Sequence, residues 1–172
     1  MPIAVGYLAS GLQEGSIART GVTTDILSSV NGMSIILPFG RALIYAPGST
    51  GTHEKTIVLL PNTAGQVIRG VSVLTDSISP QLDAFGREGF PPALVANSLL
   101  MPVVFGRMIK GYIAVQVVEA VLVGDVPTAI ITVGANQGRF GKTPGATQII
   151  CPATWEYATA AAPNGIALIL MK

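Results

Sequence analysis

Between Leu99 and Asp125 the chain reads LLMPVVFGRMIKGYIAVQVVEAVLVGD, and within it Tyr112, Ala114 and Gln116 alternate with Ile113, Val115 and Val117. A period of two places these sets on opposite, unlike faces of a strand. Strand signals recur in MSIILPFGRALIY (33–45), broken at Pro38 and Gly40, in TIVLLP (56–61), in QVIRGVSVLT (66–75), over Ala129–Val133 and in the closing IALILMK (166–172). Turn-forming stretches separate them at Ala46–Lys55, Asn62–Gly65, Gly124-Asp125 and Pro163–Gly165. Short strands punctuated in this way predict an all-β fold, a small barrel or sandwich of about ten short strands. Only ATWEYATAAA, Ala153–Ala162, argues for helix, through its alanines. Trp155 and Tyr157 favour strand and the stretch is short for an isolated helix, so the pattern leaves both open.

Two regions depart from the strand pattern. Residues 1–30 carry Gly6, Gly11, Gly15 and Gly21 with few aliphatic residues between them, which predicts an extended N-terminal arm with little core of its own, ordering on a neighbouring subunit. The body is then 31–172. Within it Ser77–Pro92 holds Pro80, Gly86, Gly89 and Pro91-Pro92, so an irregular insertion is expected near 77–98.

Composition changes the picture in one respect. The 172 residues are 49% hydrophobic and 11% charged, against about 25% charged in an average soluble domain. One domain of this length can bury a real core, but a surface so poor in charge is expected to be hidden against other subunits. A membrane is not expected to hide it, because the uncharged run between Glu88 and Arg107 contains Pro91, Pro92, Asn97 and Pro102 and makes a poor spanning helix. The N-terminus shows no basic region of the kind that opens a signal peptide. Net charge is +1, which gives no reason to expect a nucleic-acid partner; Arg107 with Lys110 is the nearest thing to a basic pair in a strand. Attachment to a partner is therefore expected to rest on apolar burial and strand-edge pairing, with Arg107 and Lys110 the first candidates for any ionic share.

Candidate chemistry is sparse. TVGANQGRFGKTPG, Thr132–Gly145, ends in Gly141-Lys142-Thr143 like a phosphate-binding P-loop, but Asn136 stands where the first glycine is needed and Pro144-Gly145 replaces the following helix. A surface loop without nucleotide is the expectation. His53 is the single histidine and Cys151 the single cysteine, so no metal-ligand set forms, and no G-x-S-x-G accompanies them. His53 reads as a solvated loop residue and Cys151 as a buried structural thiol. The nine carboxylates are spread along the chain. Trp155, Phe39, Phe105 and Tyr112 read as core rather than as a ligand pocket. No catalytic, cofactor-binding or metal residue is assigned and no cofactor is expected.

The segments LPFGRALIY (37–45), GQVIRGVSV (65–73), VVFGRMIKGYIAVQVVEAVLVGD (103–125), GRFG (138–141) and ATWEYATAAAPNGIALILMK (153–172) together resemble the structural cement, or capsid decoration, proteins of tailed bacteriophages. Val126-Pro127 departs from that likeness: Pro127 cannot donate to a ladder, so the next strand is expected to begin late or to lie at an edge. The resemblance implies a non-enzymatic virion protein on the capsid exterior, with the major capsid protein and its own copies as partners. Such a protein clamps neighbouring capsid subunits against internal DNA pressure. A trimer suits local threefold positions and a dimer local twofolds. The alternative is a ligand- or glycan-binding β-domain of a head fibre or other virion surface protein. A third reading, an enzyme with a carboxylate site assembled in space, has no recognised motif behind it.

Overall fold

One strand of 13 residues, Val104–Gln116, is shared by two sheet regions, and its bend organises the molecule. The computed structural model describes residues 14–18, 23–33, 37–49, 56–73 and 104–172, together with the pairing of 81–82 and 88–89. In chain order the strands are β1 (Ile17–Ala18), β2 (Asp25–Asn31), β3 (Ala42–Tyr45), β4 (Ile57–Leu59), β5 (Gly70–Ser72), β6 (Gln81–Leu82), β7 (Glu88–Gly89), β8 (Val104–Gln116), β9 (Thr128–Ile130), β10 (Phe140–Gly141), β11 (Gln148–Ile150), β12 (Trp155–Tyr157) and β13 (Ile166–Met171). There is no helix among the described residues, and the fold is all-β as the alternation predicts.

The first half of β8 pairs with β2 on one side and meets β5 on the other, at Val71↔Met108 and Ser72↔Arg107. Since β2 continues to β4, β4 to β3 and β3 back to β5, the path closes into a five-stranded ring. The second half of β8 leaves the ring for β13, in register from Met171↔Gly111 to Ile166↔Gln116, and β13 pairs with β12. The changeover falls at Gly111, whose φ of +115° favours glycine. A Cβ there would lie 3.0 Å from Thr24 Oγ1, so the missing side chain also lets the chain before β2 cross closely. A three-stranded sheet, β10-β9-β11, attaches through the bridge Val117↔Phe140.

The predicted faces of β8 are both used. Ile113, Val115 and Val117 enter the main core with Met108, Val71, Phe140, Ile149, Trp155, Tyr157 and Ile169. On the opposite face Ala114 is buried against Ala18 and Leu168, with Tyr112 half-buried beside them. A further cluster, Leu37, Phe39, Leu43, Val58 and Leu60, packs the ring strands.

Four segments of the sequence stand as follows. Ala153–Ala162 is not helical: Trp155–Tyr157 forms β12, its two rings buried on one face while Glu156 is half-buried, because aromatic anchors at alternate positions outweigh the alanines. The strand expected over Ala129–Val133 runs Thr128–Ile130. It starts immediately after Pro127, and it is the centre of its sheet rather than an edge. Pro127 needs no donor there, and its carbonyl accepts the Cys151 amide at 3.0 Å. Of residues 1–30, Ile17–Ala18 pairs with β8 and Asp25–Val30 lies in the ring, so these parts of the expected arm are built into this chain's own sheet; residues 1–13 and 19–22 lie outside the described residues. The expected insertion near 77–98 also lies outside them, apart from the short antiparallel pair β6–β7.

Candidate functional site

The P-loop look-alike does cradle an anion, and the anion is the protein's own. Glu119 Oε1 accepts the backbone amides of Lys142 at 2.8 Å and Thr143 at 3.0 Å, while Oε2 accepts the Thr143 hydroxyl at 2.7 Å. A Cβ on Gly141 would lie 2.5 Å from Glu119 Oε1, so glycine at this position makes room for the carboxylate. Burial works against the charged form of Glu119, but the hydrogen bonds from Thr143 and Lys142 outweigh it and hold its pKa below the usual carboxylate range. Lys142 Nζ stands 3.5 Å from Asp125, whose carboxylate also accepts the Leu122 amide at 2.9 Å. Amides that would meet a phosphate in a true P-loop are spent inside the fold.

Two of the arginines are buried, which the strand pattern did not indicate. Arg41 is 4% exposed and its Nε lies 3.3 Å from Glu14, an approach of charges without hydrogen-bond geometry. Its Nη1 donates to the carbonyls of Ala135 at 3.1 Å and Gln137 at 3.3 Å, tying the N-terminal segment to the 132–139 loop. Burial raises the Glu14 pKa, and Arg41 and then Arg139 pull it back without cancelling the rise. Gly40, at φ +68°, completes this joint, since a Cβ there would collide with Glu14.

Arg107 is 0% exposed, so it is not the surface cation that its place beside Lys110 suggested. Its Nε donates to Ser29 Oγ at 3.0 Å and its Nη1 to the Tyr45 hydroxyl at 3.2 Å and to the Arg69 carbonyl. Its guanidinium carbon lies 5.0 Å from the Tyr45 ring centroid, and that of Arg69 lies 5.4 Å from it. Gly70 accommodates the stem: a Cβ there would be 2.6 Å from Arg107 Cγ. Lys110 is half-buried and faces Asp25 across the β2–β8 register.

The remaining sequence candidates fall as follows. Cys151 is buried in the main core, and desolvation pushes its thiol far up, which leaves it unreactive. Phe39 and Trp155 are core, and Tyr112 is half-buried. His53 and the Phe105 side chain lie outside the described residues. No group of three or more His, Cys, Asp or Glu among the described residues could hold a metal ion.

The surface itself offers an apolar turn. Leu122 and Val123 are 61% and 67% exposed at a tip held by Asp125 N donating to Leu122 O at 3.2 Å and Gly124 N donating to Tyr157 O at 2.8 Å. Val126, Val133 and Ile150 are also exposed in this half of the molecule, and Ile26, Leu27 and Ile57 on the ring. Such side chains, fixed by a hydrogen-bonded turn, lose little further freedom on contact.

No curated protein sequence matches the chain. Its fold is similar to that of a chain in the capsid of Myoviridae phage XM1, at 17% identity and a TM-score of 0.63, covering 94% of this chain and 90% of the other. A family model described as structural cement protein (E217 gp24/Pam3 gp6) matches residues 5–172. The alternating strands thus build a known architecture, and the chain belongs to the phage structural cement protein family.

Proposed function

We propose that this protein is a non-enzymatic virion component that binds the outer surface of an icosahedral phage head and clamps neighbouring major capsid subunits, stabilising the shell against the pressure of packaged DNA. The family match over residues 5–172 carries this reading. The architecture supports it, because the one loop that resembled a nucleotide site spends its amides on Glu119 while apolar side chains remain at a rigid turn. A clamp acts by linkage: any contact made to the assembled shell and not to the separated subunits adds to the cost of separating them, about 2.7 kcal/mol per site at a hundredfold excess over Kd. The protein acts as a homo-oligomer, a trimer at local threefolds or a dimer at local twofolds.

The test is add-back to heads assembled without the protein. Saturating it should raise the temperature at which the heads rupture. Because apolar contacts are weakly screened, most of the bound protein should remain at about 1 M salt and leave in urea. Heads that bind the protein yet rupture at an unchanged temperature would refute the clamp, and heads that do not bind it would refute the capsid assignment.

A further inference from the structure

Tyr45, Arg69 and Arg107 form a cluster rich in donors and short of acceptors. The Tyr45 hydroxyl oxygen accepts from Arg107, which leaves its own O–H proton without an acceptor among the described residues. Arg107 Nη2 is buried and donates to no acceptor among the described residues. Arg69 is exposed, and its guanidinium meets the Tyr45 ring but no carboxylate among the described residues. Two guanidinium groups thus stand against one aromatic ring. A buried cation without a counter-charge is costly, and the ring and carbonyl dipoles offset only part of that cost.

A carboxylate would complete the set, with a negative charge, acceptors only, and a planar shape that matches the guanidinium fork. We propose that this cluster is a docking site for an acidic side chain, Asp or Glu, of the capsid subunit. The carboxylate meets Arg69 and the Tyr45 hydroxyl at the surface, with the charge of Arg107 behind them. The proposal rests on the capsid-binding reading above. A second copy of this chain is a poorer source. Glu14 faces Arg41, Glu119 is bonded by Lys142 and Thr143, Asp125 by Leu122 and Lys142, and Glu156 by Lys172. Asp25, the remaining carboxylate whose side chain is described, stands opposite Lys110.

The experiment uses heads lacking the protein and measures the affinity of wild type, Arg69→Ala, Arg69→Lys and Tyr45→Phe from about 0.05 to about 0.5 M salt. Arg69 is exposed, so its variants should unfold at the wild-type temperature. Arg69→Ala should bind about tenfold more weakly at low salt, Tyr45→Phe about fivefold, and Arg69→Lys between wild type and Arg69→Ala. The deficits should shrink as salt rises, because the lost contact is ionic. Wild-type binding with no deficit in the variants overturns the proposal alone, as does a deficit that is the same at every salt concentration. Failure of wild type to bind overturns the capsid reading and this site with it.

Discussion

Two regions of the ring bury a guanidinium and solve the problem differently. Around Arg41 the opposite charge is supplied by Glu14, close to Nε without hydrogen-bond geometry, and two loop carbonyls accept from Nη1. Around Arg107 no carboxylate stands among the described residues; a hydroxyl, a carbonyl and two contacts with Tyr45 do the work, and Nη2 is left over. The difference teaches where internal stability ends and partner binding begins. Arg41 joins segments distant in the sequence, so removing it strands a charge inside this chain. Arg107 depends on neutral dipoles among the described residues, and the proposed acidic side chain of a partner would add the charge they lack.

Methionine at each position separates the two cases. Arg41→Met leaves the Glu14 carboxylate facing an apolar side chain and the Ala135 and Gln137 carbonyls without their donor. Breaking one partner of a buried pair costs about 3–5 kcal/mol, so this variant should lose that much in urea unfolding. Arg107→Met removes a cation with no ionic partner among the described residues to strand. The lost bonds to Ser29 and the Arg69 carbonyl cost about 1–3 kcal/mol, set against the relief of desolvating a charge, and the net loss should stay below about 2 kcal/mol. Equal losses in the two variants would erase the distinction between the regions.

The sequence displays one side of this comparison and hides the other. Alternation in β8 reveals which residues face the core, because the strand period is local, and Pro163-Asn164-Gly165 declares its turn, where Asn164 adopts φ +63°. Burial of an arginine is not local. The Arg41 donors reach carbonyls 94 and 96 positions away and Arg107 reaches Ser29 78 positions away, so a pattern read residue by residue treats both as surface cations. The glycines in LPFGRALIY and GQVIRGVSV were visible as breaks in strands. Their reason, space for Glu14 at Gly40 and for the Arg107 stem at Gly70, exists only after the ring closes. Ala18 is hidden for a related cause: it is a small residue in a glycine-spaced segment, yet it covers Ala114 and is itself 3% exposed. The Gly141-Lys142-Thr143 motif could be rejected from its spacing, but the carboxylate that occupies its amides lies 23 positions upstream of Lys142.

Glu119 extends the comparison to an anion held by neutral donors, with the smallest expected effect. Its pKa in the folded protein is depressed, so its bonds to Lys142 and Thr143 stabilise the fold fully above the unfolded-state pKa of about 4.3 and are lost as pH falls through the lower, folded value. Glu119→Gln cannot titrate, and at neutral pH it should cost under about 1 kcal/mol, because the group is partly solvated and screened. The two urea midpoints should therefore differ above about pH 5 and converge as acid protonates the wild-type carboxyl. If the two curves run parallel down to about pH 3, the Lys142 and Thr143 amides do not discriminate the charged form, and the loop's resemblance to an anion cradle is one of shape alone.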